Sequence, residues 1–244
     1  MKVELLSWTP NALELLIYTK NTRLQGDQTP EDIVQWSESK KMEELDYMKK
    51  TIQSSFEFVN YVFKISEVTR SFTHKLVRSR HNSYAQESMR AVDVRDHTWR
   101  KFDSPPDTYE AGMHFALEQY SAMVDEGVPI QDAREILPTG IHTSIIVGTN
   151  LRSLSQMAEL RLCTRTAGEY QEVFKEIKRQ IIELHPWSED FLQVACVKTG
   201  ICIFPNYTEC PIQNLTVKVS DTRKDAIKAK WEKTNHVADP SIRK

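Results

Sequence analysis

Hydrophobic positions along the chain alternate between short runs of period two and longer runs with steps of three and four, the signatures of strands and amphipathic helices. Residues 2–8 read as a short strand with Val3 and Leu5 inward. Thr9-Pro10 is a helix-start pair, threonine as cap and proline at the first helical position, leading a helix to about Arg23 through Leu13, Leu16 and Ile17. Thr29-Pro30 repeats the signal, and the charged stretch 39–51 continues as helix with Met42, Leu45 and Met48 on its buried face. Residues 56–65 are aromatic and β-branched, which predicts a strand covered on both sides, with Asn60 as the polar exception on the Phe56/Phe58 face. A short helix over 68–77 follows.

The stretch 91–106 is mixed and is broken at Ser104-Pro105-Pro106. The clearest helix spans 107–126, where Tyr109, Met113, Ala116, Tyr120 and Met123 step by four and three before Gly127 ends it. Residues 132–138 form a short helix stopped by Pro138, and 141–147 a strand. Asn150 opens a helix through Leu154, Met157, Leu160 and Arg161, and a last long helix runs over 167–184. No internal repeat is present. One domain over 1–220 is expected, with 221–244 as a charged helix or tail.

Composition narrows the chemistry. The 244 residues are 40% hydrophobic and 27% charged with a net charge of −2, so no global field recruits nucleic acid or an acidic membrane and any anion site is local. No run is long enough to span a bilayer and the first residues lack an export signal, which reads as a cytoplasmic chain whose four cysteines are reduced thiols. The seven glycines are not spaced as a dinucleotide fingerprint or a phosphate loop. Phosphates, if bound, must be held by arginines and amides.

Those donors are densest at residues 78–90, where three arginines, a histidine, three serines and two amides fall together. The alternation of small and polar residues there suggests a loop or a short irregular strand. Cys196, Cys202 and Cys210 with a histidine offer a zinc alternative, but no CxxC knuckle is present and buried thiols are the simpler account. The basic cluster from Lys75 to Lys101 offers a non-enzymatic nucleic-acid module, against which stand Glu87, Asp93 and Asp96 and the lack of an aromatic ladder.

Taken in order, these elements resemble the flavin-dependent thymidylate synthase (ThyX) family. Its signature, Arg-His-Arg followed after seven residues by Ser, is approximated by Arg78-Ser79-Arg80 and Ser88. Phe56-Glu57-Phe58 stands upstream where the family has a Leu-Glu-His-like element, and Thr69-Arg70 with His74 precedes the signature. Ala133-Arg134 with Leu137-Pro138, Asn150-Leu151-Arg152-Ser153-Leu154, Leu160-Arg161, Arg165 with Glu169, and the Cys196, Gly200, Cys202, Cys210 pattern follow in register. Departures are Ser79 and Phe58 for two histidines, Lys75 for Gln, Ala91 for Tyr, and Ala85-Gln86 for an Asn-Glu pair. The histidine losses bear on flavin contacts, and the others on substrate choice.

The resemblance implies an α/β (α+β) fold with a central antiparallel sheet flanked by helices, assembled as a homotetramer with shared sites. It implies reductive C5-methylation of a uridine 5′-monophosphate, with FAD as cofactor and NADPH and methylenetetrahydrofolate as co-substrates. Arg161 would be the catalytic cation at the uracil edge, where charge builds during methylation. Arg90 and Arg134, with Arg78, would fork onto the phosphate, Ser88 and its neighbours completing a cradle bordered by Lys75, Gln86, Glu87 and Met89. FAD would be held by Asn60, Arg78, Ser79, Arg80, Gln86, Asn150, Arg152, Gln156 and Arg165. No cysteine is placed like the nucleophile of an ordinary thymidylate synthase. The departures also make the chain look like a branch from polyoxin-type nucleoside antibiotic pathways that methylates UMP as well as dUMP; a plain dUMP-specific enzyme is the alternative.

Overall fold

A computed structural model describes residues 1–200 except 52 and 167, together with 202 and 210. The expected tail at 221–244 lies outside the described residues. In chain order the elements are β1 (Lys2–Trp8), α1 (Ala12–Arg23), α2 (Pro30–Val34), α3 (Glu38–Thr51), β2 (Asn60–Thr69), α4 (Arg70–Leu76), β3 (Ser83–Gln86), α5 (Asp107–Asp125), α6 (Ile130–Ala133), β4 (His142–Asn150), α7 (Leu151–Arg161), α8 (Glu169–Leu184) and α9 (Ala195–Thr199). The strands form one antiparallel sheet in the order β1-β2-β4-β3. This is the antiparallel sheet flanked by helices that the resemblance implies.

The sheet is covered on one face. Val3, Tyr61, Phe63, Ile65, Ile145 and Val147 point into a core shared with Leu16 and Ile17 of α1, Leu151 and Leu154 of α7, and Val173, Phe174 and Ile177 of α8. Fully burying each such side chain stabilises the fold by about 1.5–3 kcal/mol before the entropy of ordering it is counted. The opposite face carries Lys64, Ala85 and Ile146 in register, all exposed. The expectation of a strand covered on both sides therefore fails within this chain. Its aromatic run divides: Gln53–Phe58 is a 3-10 turn in which Phe56 is buried and Phe58 half-exposed, and β2 begins only at Asn60. From there the period of two places Tyr61, Phe63 and Ile65 inward and Asn60 and Lys64 outward.

Several local signals act as the sequence suggests. Thr29 closes a reciprocal capping box with Asp32. Asn150 caps α7 by accepting from the Ser153 N–H at 2.9 Å. Gly127 takes φ +88° after α5, where its missing Cβ permits the left-handed turn. Thr9 behaves otherwise. Its N–H donates to the Asn60 carbonyl and its hydroxyl accepts from the Asn60 N–H, extending the sheet pairing, while Asn11 at φ 46° starts α1.

A second, smaller core stands apart. Met89, Val94, Leu117, Tyr120, Ala133 and Ile141 pack α5 and α6 against the loop after β3. It carries the segments that hold Arg90 and Arg134.

Candidate functional site

The signature stretch leaves α4 as a tight turn and enters the sheet as β3, so the expected irregular strand is a four-residue edge strand. Tyr84 fastens the turn. Its hydroxyl lies 2.9 and 2.8 Å from the Leu76 and Ser79 carbonyls and receives the Asn82 amide at 3.0 Å. Asn82 in turn accepts from the Thr149 hydroxyl at 2.6 Å, tying the turn to β4. Ser79, Arg80, His81 and Asn82 thereby face Ser153, Gln156 and Arg161 of α7 across a cavity of about 200 Å³. Among the described residues the side chains of Arg78, Arg80 and Arg90 have no ion pair or hydrogen-bond partner and are exposed.

Arg161 forms the end of this cavity and also borders a neighbouring one of about 330 Å³ with Cys163, Arg165, Cys196 and Cys202. Its guanidinium rests on the ring of Tyr170, 4.4 Å from the centroid, a cation–π contact that orients it. Tyr170 was not singled out from sequence. Its ring is buried, and its hydroxyl has no hydrogen bond of normal length although Ser79 and Arg161 stand beside it. Burial pushes the phenol upward, opposed by the Arg161 charge. An orphaned buried hydroxyl beside a cation marks polar capacity that the chain itself leaves unused.

Burial pushes the Cys196 thiol up, and Cys202, Cys163 and Cys210 push it further in the same direction. Among the described residues no group of three or more histidine, cysteine, aspartate or glutamate side chains could hold a metal ion.

Several residues assigned to the flavin by resemblance gather at one end of the sheet, while Gln86 lies away from them, opposite Ile145 on β4. Asn60 and Asn150 are cross-strand partners on β2 and β4, and Asn60 is exposed, its amide donating to the Phe58 carbonyl. Arg152, on the first turn of α7, is ion-paired with Glu57, and Gln156 is one turn further. Arg165 is exposed in the 3-10 turn after α7.

The phosphate candidates lie elsewhere. Arg70 begins α4, and its segment is tied to the chain before β4 by Arg70 N–H to Ile141 O and Ser71 N–H to Thr139 O, at 3.1 and 3.0 Å. Burial and the charge of neighbouring Arg134 push the Arg70 guanidinium down, with Glu87 opposing. Arg134 is half-buried, with a loose 3.6 Å contact to exposed Glu135. Gln86 donates to the Thr73 hydroxyl at 2.7 Å. The Glu87 carboxylate accepts from the Ser144 N–H at 3.1 Å and is 2.7 Å from His97 Nε2. Arg70 and His97 escaped the sequence reading. For Arg70 the signal was available, an arginine in the Thr69-Arg70 element.

Two assigned residues are placed differently from expectation. The Met89 side chain is buried in the second core, so only its backbone is available to a ligand. Both Glu87 oxygens are already engaged by protein donors. Ser88 and Lys75 are exposed, the Ser88 hydroxyl accepting from the Arg90 N–H at 3.4 Å.

Among the described residues no helix is long and apolar enough to cross a membrane. The family model described as "Thymidylate synthase complementing protein" matches residues 4–187. A flavin-dependent thymidylate synthase of Saccharolobus solfataricus is 33% identical over 132 residues, 52% of this chain and 51% of that protein. One from Geobacter sulfurreducens is 33% identical over 142 residues, 55% of this chain and 61% of that protein. One from Pyrococcus horikoshii is 28% identical over 226 residues, 83% of this chain and 89% of that protein. The match to the first of these relatives spans about half of its length. Thymidylate synthase X from Helicobacter pylori, solved with FAD and dUMP, has the same fold, with a TM-score of 0.65 over 79% of this chain and 99% of that one at 21% identity. A family match across most of the chain, on a shared fold and with the arginine-rich turn in place, makes this protein a member of the thymidylate synthase complementing protein family.

Proposed function

We propose that the protein is a flavin-dependent methylase that adds a one-carbon unit to C5 of a uridine 5′-monophosphate and reduces it to methyl. The observation that carries this reading is Arg161, a cation braced on Tyr170 at the end of the cavity formed by the signature turn. Methylation at C5 requires electron density to be pushed onto that carbon, and negative charge builds on the ring carbonyls and N3. A fixed guanidinium at that edge stabilises the charge as it develops, an effect worth about 3 kcal/mol for one such donor. Arg70 and Arg134 supply a forked cationic surface for the 5′-phosphate, with Arg90 and the Ser88 segment on the same loop.

The polar lining fits a flavin. Ser79, Arg80 and Gln156 line the cavity, and Asn60, Asn150 and Arg152 continue the donor set along the sheet end. Bound FAD supplies the hydride that reduces the transferred carbon; NADPH and methylenetetrahydrofolate are the proposed sources of electrons and carbon. A site that buries a ligand of drug size occupies about 300–1,000 Å³, so a cavity of about 200 Å³ in one chain holds part of such a cofactor. The open sheet face, with Lys64, Ala85 and Ile146 exposed, agrees with sites completed by further copies in a homotetramer. In either case Tyr170 orients Arg161, and the pinned turn at 79–82 keeps its donors in place.

We take the substrate to be UMP as well as dUMP. Ala91, Lys75 and Gln86 stand where the family has Tyr, Gln and, in part of its members, Glu. A smaller border residue lowers the steric barrier to a ribose 2′-hydroxyl. Incubation of the purified protein with FAD, NADPH, methylenetetrahydrofolate and either nucleotide should yield a product heavier by one CH2 by mass spectrometry, methyl having replaced the C5 hydrogen. Protein that binds no FAD and forms neither product would refute the assignment.

A further inference from the structure

We propose that His97 is a positioning residue that holds the Glu87 carboxylate back from the Arg70/Arg134 pair, so that these cations stay open to a phosphate. The proposal rests on the uridine-monophosphate reading of the site and adds a residue to it.

The local geometry sets up a competition. Arg70 and Glu87 flank the start of β4: Arg70 N–H donates to Ile141 O, while Glu87 N–H donates to Ser144 O at 3.0 Å. The Glu87 side chain returns to the Ser144 N–H at 3.1 Å, leaving its other oxygen to His97 Nε2 at 2.7 Å. Both partners of that contact are about four-fifths buried. Among the described residues Arg70 and Arg134 meanwhile have no close ion pair beyond the loose contact to Glu135. A carboxylate whose charge acts on Arg70, itself the neighbour of Arg134, is an internal competitor for any anion that binds there, because an intramolecular partner acts at high effective concentration. Glu87 does not pair with them, since both its oxygens are satisfied elsewhere. His97 is the one side-chain donor of that arrangement. It is held by the second core, with its N–H bonded to the Val94 carbonyl at 2.9 Å and Val94 fully buried.

Removing the His97 donor frees one carboxylate oxygen to swing onto Arg70 or Arg134. A residue with a merely structural role would weaken binding regardless of what stands at 87. The competition account requires instead that the loss disappear when the charge at 87 is removed.

The test is a calorimetric titration of dUMP, and of deoxyuridine as the phosphate-free control, into the FAD-loaded wild type, His97→Ala, His97→Gln, Glu87→Gln and the His97→Ala/Glu87→Gln double variant. His97→Ala should weaken dUMP about tenfold, the order expected for losing one charge-assisted contact, and leave deoxyuridine unchanged. His97→Gln, which keeps a donor, should bind within a few-fold of wild type. The double variant should recover the affinity of Glu87→Gln. Unaltered dUMP affinity in His97→Ala, or a double variant as weak as His97→Ala, overturns the proposal while leaving the function intact. If His97→Ala does not fold, dUMP binding to His97→Gln more than tenfold weaker than wild type overturns it. Wild type that binds neither dUMP nor UMP overturns the functional reading, and this inference with it.

Discussion

The two arginine groups of the site differ in what holds them. At the α7 end, Arg161 leans on the Tyr170 ring and Arg152 is paired with Glu57. At the α4 end, Arg70 and Arg134 are neighbouring like charges, and Glu87, whose charge acts on Arg70, is engaged by His97 and Ser144. A braced cation suits a neutral ring edge on which charge only develops, because its position must be right before the charge exists. A pair of under-neutralised cations suits a dianion that brings its charge along. On the proposed reading, the difference assigns the ring to the α7 end and the phosphate to the α4 end.

The largest effect that would break this division is on turnover. Arg161→Ala should lower kcat by about 10²–10³-fold with nucleotide affinity changed far less. Stopped-flow and steady-state rates would check it, and near wild-type turnover would remove Arg161 from the chemistry. Arg134→Ala should act the other way, weakening dUMP binding about 10- to 100-fold with deoxyuridine unaffected. Equal losses for nucleotide and nucleoside would move the phosphate away from α4. Ser79→His should tighten FAD, by an amount set by one added ring contact of about 1 kcal/mol, read from the flavin dissociation constant. A looser flavin in that variant would place the turn outside the cofactor site.

The smallest expected effect is on pH stability. Burial holds His185 and His142 below the usual histidine value. Folded protein then binds fewer protons than unfolded protein as pH falls through about 6.5, so stability is intact above that value and declines below it toward the folded pKa of each group. Melting temperature should drop between pH 7 and 5, and less so in His185→Gln, where Tyr61 loses its 2.9 Å ring partner but only His142 of the two is left to charge. An unchanged slope in that variant would assign the acid sensitivity elsewhere.

Much of this was legible in the sequence because it rests on local rules. The Thr29 capping box, the Asn150 cap, the glycine stop after α5 and the inward faces of α1 and α8 follow from residue types at short spacing. The errors arise where long-range pairing overrides a local signal. Thr9-Pro10 reads as a helix start, yet sheet pairing with Asn60 claims Thr9 and pushes the start to Asn11. Phe56 and Phe58 read as strand, yet the chain turns there and β2 waits for Asn60. In the site, the arginine-rich turn stood out by density alone. Tyr170, Arg70 and His97 did not, since each acts through a neighbour distant in sequence: Arg161, Arg134 and Glu87. Met89 shows the reverse case, a residue inside the motif whose side chain the second core claims.

The most direct measurement is release of tritium from C5-labelled dUMP and UMP, run in parallel with FAD, NADPH and methylenetetrahydrofolate. Loss of the C5 proton accompanies replacement by carbon at that position, and the proposed role of Arg161 is to stabilise the charge that makes it possible. Release above background from both nucleotides, abolished in Arg161→Ala, is the result the account expects. Release from dUMP alone would end the dual-substrate reading, and release from neither, with FAD bound, would contradict the account at its centre.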